Sequence, residues 1–236
     1  MASTHRSRLF HAWLRDIGND PLKCALWGAS ALAIAFMALQ DNLHGDLQSF
    51  CITASASLLA EGWALLRLYY ASMDLGGFIA AVGLMLIAMM SPALYRPLLG
   101  LWAQGRGPAT VAFLLGYFWV WLLGCALLLM VALLLVSFSG SELAAGLLAL
   151  LAGGVWQFSA LRARSLDHCH LQPGAKRSSL LGPAQAGGLG VMHGLWCCAT
   201  CWPLMLIAFC LPAVHVPLML AGAVIIAHER SQHLHA

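Results

Sequence analysis

The chain has 236 residues, of which 61% are hydrophobic and 9% charged, with a formal net charge of +3. A soluble domain carries roughly a quarter charged residues, so this composition excludes an ordinary water-soluble fold and points to a single integral membrane domain. The small positive charge sits in connecting segments, where it sets orientation in the bilayer; it gives no basis for nucleic-acid binding.

A helix needs about 20 mostly apolar residues to cross the hydrocarbon core. Residues 1–22 are polar, carry Arg6, Arg8 and Arg15, and show no cleavable signal peptide. A first span is expected from Lys23 to Leu39. Residues 50–72 look helical but are interrupted by Glu61, Arg67 and several serines, as in a helix lying in the interface or a further span. The second span covers Leu75 to Tyr95 and the third Pro108 to Val136. The fourth runs from Glu142 to Leu161, the fifth from Gly187 to Leu211, and a short sixth from Ala213 to Ala227. A tail, 229–236, follows.

The positive-inside rule chooses between the two topologies. With six spans and 50–72 outside, the cytoplasmic side holds Arg6, Arg8, Arg15, Lys23, Arg96, Arg106, Arg162, Arg164, Lys176, Arg177 and Arg230, leaving only Arg67 outside. A seventh span would move Arg96 and Arg106 across. The expected fold is therefore all-α: a polytopic membrane helix bundle of about six transmembrane helices plus an interfacial helix. Residues 23–228 form one domain, between a cytoplasmic N-terminal segment (1–22) and a cytoplasmic tail (229–236).

Of the eight cysteines, Cys24, Cys51, Cys125 and Cys210 lie scattered in apolar stretches, where a thiol acts as a small hydrophobe. Cys197, Cys198 and Cys201 cluster on a cysteine-rich helix, with Cys169 upstream. His193, Cys197, Cys201 and Met205 recur every fourth residue and form one drifting helical stripe. All four are metal-ligand types, and Cys with Met selects monovalent copper; zinc is the alternative. Each step climbs about 6 Å, so neighbours can grip one ion while the outer pair stands about 18 Å apart. A single ion then needs ligands from a second helix, or the stripe is a ladder of sites. Pro203 removes one backbone donor and frees the Ala199 carbonyl beside Cys201. Read as packing alone, the cysteines, glycines and alanines are small residues that let helices approach.

Met85, Met89 and Met90 form a second group, just before Pro92. They read as core filler, or as copper ligands if they face the thiol helix. His168-Cys169-His170 forms a third, in an expected loop whose strand-like alternation would put both imidazoles on one face to capture metal at the cytoplasmic mouth. His215, between Pro212 and Pro217, is an ionisable group in a short span, and Gln157 a polar insertion near the end of the fourth. The C-terminal His228, His233 and His235 carry little weight as specific ligands. The sequence has no phosphate loop, paired catalytic carboxylates or zinc-protease motif, so an enzyme is not the expected reading.

Ala88-Met89-Met90-Ser91-Pro92, Gly116-Tyr117-Phe118-Trp119 and Trp156-Gln157-Phe158-Ser159 resemble, in order, the motifs of the predicted metal-binding integral membrane protein family. That family is a bacterial domain of unknown function in which some members are labelled copper chaperones. Its most telling motif is similar to His193-Gly194, Cys197 and Cys201-Trp202-Pro203-Leu204-Met205, and its terminal acid–base pair to Glu229-Arg230. The resemblance covers residues 75–230 and implies metal handling in the bacterial inner membrane. Two places depart from the pattern. Arg162, Ser165, Leu166 and Cys169 stand where the family has Lys-x-x-Cys-Leu-x-x-Cys, so one loop thiol is missing; and Thr200 replaces a cysteine, while Cys198 is extra.

Three functions compete. The first is a protein that holds or relays copper through Cys, Met and His ligands, with the lipid bilayer as its setting and a metallochaperone or cuproenzyme as its partner. The second is a membrane thiol–disulfide oxidoreductase, against which the Cys197-x3-Cys201 spacing counts. The third is a non-catalytic assembly subunit, supported by Gly76-Gly77, Gly153-Gly154 and Gly187-Gly188.

Overall fold

The computed structural model describes residues 20–44, 75–102, 107–170, 182–211 and 214–232. The expected interfacial helix at 50–72, the start of the N-terminal segment and the end of the tail lie outside the described residues. Within them the chain is all-helical, with no strand. The helices are α1 (Pro21–His44), α2 (Leu75–Met90), a 3₁₀ turn (Pro92–Leu94), α3 (Tyr95–Trp102), α4 (Gly107–Ser139), α5 (Glu142–Gln157), α6 (Ala160–His170), α7 (Pro183–Cys210) and α8 (His215–Gln232).

Among the described residues three helices are long and apolar enough to cross a membrane: Pro21–Leu39 within α1, α4 and α7. Two bent pairs, α2 with Pro92–Leu101 (64°) and α5 with Ala160–Cys169 (75°), raise the total to as many as five. His215–Ile226 is a shorter apolar helix. The expected second span, read from sequence as a single helix, is thus interrupted near its end, and the expected fourth stops at Gln157, with the helix from Ala160 running on into the expected loop. Pro92 breaks the first: it carries no N–H for the Ala88 carbonyl. Ser159 breaks the second by capping α6, its hydroxyl accepting Arg162 N–H at 3.1 Å. Gly140, at φ 74°, makes the turn between α4 and α5 in a conformation that favours glycine.

Pro92, which ends α2, and Pro203, inside α7, each free a carbonyl four residues back, and both carbonyls are taken by a side chain from another helix. Ser30 of α1 donates to Ala88 O, and Trp156 Nε1 of α5 donates to Ala199 O at 3.0 Å. Hydrocarbon offers no water to such groups, so they must find partners inside the protein. Ser91 adds to the first junction, its hydroxyl lying 2.6 Å from Ile87 O and 3.0 Å from Leu26 O. Asp20 caps α1, accepting Leu22 N–H at 3.0 Å, and receives the Tyr95 hydroxyl, so the start of α1 is tied to α3. Lys23 lies 5.0 Å above the Tyr95 ring.

The core lies between α2, α4 and α7, with Met90, Trp121, Cys125, Cys197, Met205 and Cys210 fully enclosed. Leucines, valines and isoleucines such as Leu123, Leu151, Val155 and Val224 are exposed on the outside of the bundle, as on a lipid-facing surface.

Candidate metal centre

The site begins with glycine. α4 and α7 form the most extensive helix pair and run parallel, since Phe113 meets Gly190, Tyr117 meets Gly194, and Gly124 meets Cys198. A Cβ at Gly190 would overlap the Phe113 carbonyl oxygen, and one at Gly116 would overlap the Gly187 carbonyl oxygen. One at Gly194 would stand 3.0 Å from Val120 Cβ and 3.3 Å from Tyr117 O. The two backbones therefore touch, as small-residue stripes allow in membranes. Cys197 continues that stripe along α7, two turns beyond Gly190.

This approach brings the Tyr117 hydroxyl to Cys197 Sγ, donating at 3.3 Å. A third helix completes the cluster. α2 ends at Met90, and the Cys197 thiol donates to Met90 Sδ at 3.7 Å. Cys197 and Met90 are each 0% exposed and Tyr117 is 2% exposed. Thiol, thioether and phenol thus converge from α7, α2 and α4.

The remaining candidate residues are distributed around this point. His193 is half-buried, with ring centroids 6.0 Å from Phe113 and 5.9 Å from Tyr117. Cys201 is buried one turn beyond Cys197, with Thr200 Oγ1 3.5 Å from its sulfur; Thr200 also donates to Cys197 O at 2.8 Å. Met205 is fully buried another turn along. Cys198 is half-buried and turned to α4, 3.0 Å from where a Gly124 Cβ would lie. Met85 and Met89 are buried, but the Met89 methyl packs against Gly222 of α8. The methionine that meets the thiol is Met90.

His168, Cys169 and His170 fall on a helix, α6, and not in the expected loop. The Ser159 cap starts that helix, and successive positions turn about 100°, so positions 168 and 170 lie about 200° apart and share no face. His168 stacks flat on Trp196 of α7, centroids 4.5 Å apart, while Cys169 is buried. The side chain of His170 lies outside the described residues. His215 opens α8, buried, with Nδ1 3.1 Å from Ala208 O.

Among the described residues no three His, Cys, Asp or Glu side chains converge on one point. A closed zinc site wants four ligands of Cys and His type; what converges here is a thiol and a thioether, the donor pair suited to a softer ion. If each metal–sulfur bond is about 2.3 Å, the 3.7 Å separation of Cys197 Sγ and Met90 Sδ subtends about 107° at the ion. The two sulfurs can share one ion where they stand. The Tyr117 hydroxyl holds the thiol in place from α4, as hydrogen-bond partners hold metal ligands elsewhere.

Sequence periodicity had no means of finding Tyr117 or Trp156, because neither is a metal-ligand type on a stripe. Their signal was the ordered motifs: Met90, Tyr117, Trp156 and Cys197 each belong to a different one, and all four surround the same turn of α7. Residues 79–236 match the family model PpoB2, described as copper chaperone. No curated protein and no solved structure matches the chain.

Proposed function

The chain belongs to this copper-chaperone family, and from that premise we propose that it is a membrane protein that holds and relays monovalent copper as cargo. The observation that carries the reading is the meeting of Cys197 Sγ and Met90 Sδ from two helices at 3.7 Å, beneath the Tyr117 hydroxyl. Cys201, Met205 and His193 continue along α7, Met85 and Met89 along α2, and Cys198 beside them. These are the further soft donors of a relay. His168, stacked on Trp196, and Cys169 lie on α6, which packs on α7, and add donors at its flank. In this reading α1, α2–α3, α4, α5–α6, α7 and α8 make six crossings of the bacterial inner membrane with both termini cytoplasmic. A metallochaperone or a cuproenzyme is the partner.

The test is metal analysis of anaerobically purified protein offered copper and zinc together. The wild type is expected to retain copper in preference to zinc. Cys197→Ser should lose the equivalent held by that thiol and Met90→Leu should weaken it, with both variants folded by circular dichroism. Copper stoichiometry unchanged in both variants rejects the proposal.

The packing reading has its own observation, since Cys197 extends the glycine stripe of α7. It predicts that the same variants change only stability. The thiol–disulfide reading gains no such support: Cys197 and Cys201 lie one turn apart within one helix, an awkward frame for a cycling disulfide.

A further inference from the structure

α8 turns one face into the bundle: His215, Met219, Gly222, Ala223 and Ile226 are all buried. His215 and Met219 stand one turn apart on that face, 8% and 1% exposed. An imidazole and a thioether at this spacing are two metal donors side by side.

The imidazole is also held as ligating histidines are. Its Nδ1 lies 3.1 Å from the Ala208 carbonyl oxygen, and its ring stacks on Phe209. A carbonyl can only accept, so Nδ1 carries the proton, and Nε2 is the nitrogen that would offer its lone pair to a metal. Metal-binding histidines usually donate their other ring N–H to a carbonyl or carboxylate, which fixes tautomer and ring orientation.

The position connects to the centre already described. Where a Gly222 Cβ would stand, the Met89 methyl lies at 2.7 Å and Leu204 Cδ1 at 3.9 Å, so α2, α7 and α8 share one seam. Buried sulfurs line those helices: Met219 on α8, Met205 and Cys201 on α7, Met89 and Met90 on α2, and Cys197. His215 stands where α7 hands over to α8, beside Ala208 and Phe209, about 17 Å along α7 from Cys197 by the rise of the helix.

We infer that His215 and Met219 form a second site for a soft monovalent cation, at the end of the seam away from Cys197. The inference rests on the metal-handling reading of this chain, but its test separates the two. The full-length protein in detergent is titrated anaerobically with cuprous ion against a chelator, and metal-loaded Cys197→Ser protein is measured by X-ray absorption. Cys197→Ser should retain one equivalent, with nitrogen and sulfur in the shell. Met219→Leu, which preserves apolar volume, should weaken that equivalent roughly tenfold or more. His215→Gln should remove the nitrogen signal. Loss of all binding in Cys197→Ser overturns the second site, as does retained binding that neither Met219→Leu nor His215→Gln alters. If Met219→Leu weakens binding while Cys197→Ser changes nothing, the second site stands and the Cys197 reading falls.

Discussion

The Trp156–Ala199 hydrogen bond gives the sharpest test of the architecture. Pro203 leaves the Ala199 carbonyl without its usual helical donor, and the Trp156 indole supplies one at 3.0 Å. Trp156→Phe removes that donor and strands the carbonyl. Interhelical hydrogen bonds in membrane proteins average about 0.6 kcal/mol and reach about 1.7, while an orphaned buried acceptor costs about 1–3 kcal/mol. A loss of about 1–2 kcal/mol is expected, roughly a 5–30-fold fall in the folded-to-unfolded ratio. The substitution also disturbs the edge contact with Trp202, whose ring centroid lies 5.5 Å away, so the single variant does not isolate the bond. Pro203→Ala does. An alanine in place of the proline would have its own N–H to give to Ala199 O, and the indole would become redundant. Trp156→Phe should therefore cost about 1 kcal/mol less in the Pro203→Ala background than in the wild type. The assay is reversible unfolding of the four proteins in micelles by SDS titration, followed by circular dichroism. Equal penalties in the two backgrounds would refute the claim that Trp156 stands in for the missing proline N–H.

Two further outcomes follow from the same geometry. Gly190→Ala places a methyl group on the Phe113 carbonyl and should destabilise by about 1–3 kcal/mol through overpacking, whereas Gly188→Ala, with nothing within 4 Å, should be neutral or slightly stabilising; matched SDS titrations of the two variants check the contrast. Asp20 gives a pH signature. The Tyr95 hydroxyl first, then the Lys23 and Leu22 amides, hold its carboxyl below the ordinary 3.8. A depressed folded value means that the stabilisation is complete above the unfolded value and is lost as pH falls through the lower, folded one. Thermal midpoints should therefore drop below pH 4 in the wild type, and Tyr95→Phe should flatten that part of the profile. An identical profile in the variant would remove Asp20 from the account.

Hydrophobicity alone made the all-helical fold legible, because a run of some 20 apolar residues has few structural outcomes in lipid. What it missed were the breaks. Pro92 sits inside a stretch that remains apolar on either side, so a hydropathy reading passes over it, while Ser159 falls just before the chain turns polar; the effect of each depends on Ser30 and Ser91 at one junction and on a cap at the other. The α6 cluster was misread for a related reason. His168 to His170 are polar enough to suggest a loop, yet the Ser159 cap and packing against α7 hold them in a helix. The α7 stripe was readable as a row of donor types, and Cys197, Cys201 and Met205 are buried. Which methionine meets Cys197 was not readable. Helical period placed Met85 and Met89 together, but Met90, the last residue of α2, makes the contact. That is a fact of tertiary geometry, and no one-dimensional pattern carries it.

Packing and ligation look like rival accounts of α7, but under the proposed copper reading the same contacts serve both. The distance between Tyr117 and Cys197 is set by how closely α4 and α7 approach, and that approach is set by Gly116, Gly190 and Gly194. A stripe of small residues with leucine in place of Cys197 would pack, and would offer no ligand. Cys197 on a helix without those glycines would be held away from the α4 hydroxyl that orients it. Gly190→Ala is therefore expected to lower copper retention although it touches no donor atom, and Met90→Leu to lower it while leaving the α4–α7 contact in place. If retention fell only when packing fell, in proportion across both variants, the thiol would be a small residue and nothing more; a loss in Met90→Leu without a matching loss of stability is the result that separates a ligand from a spacer.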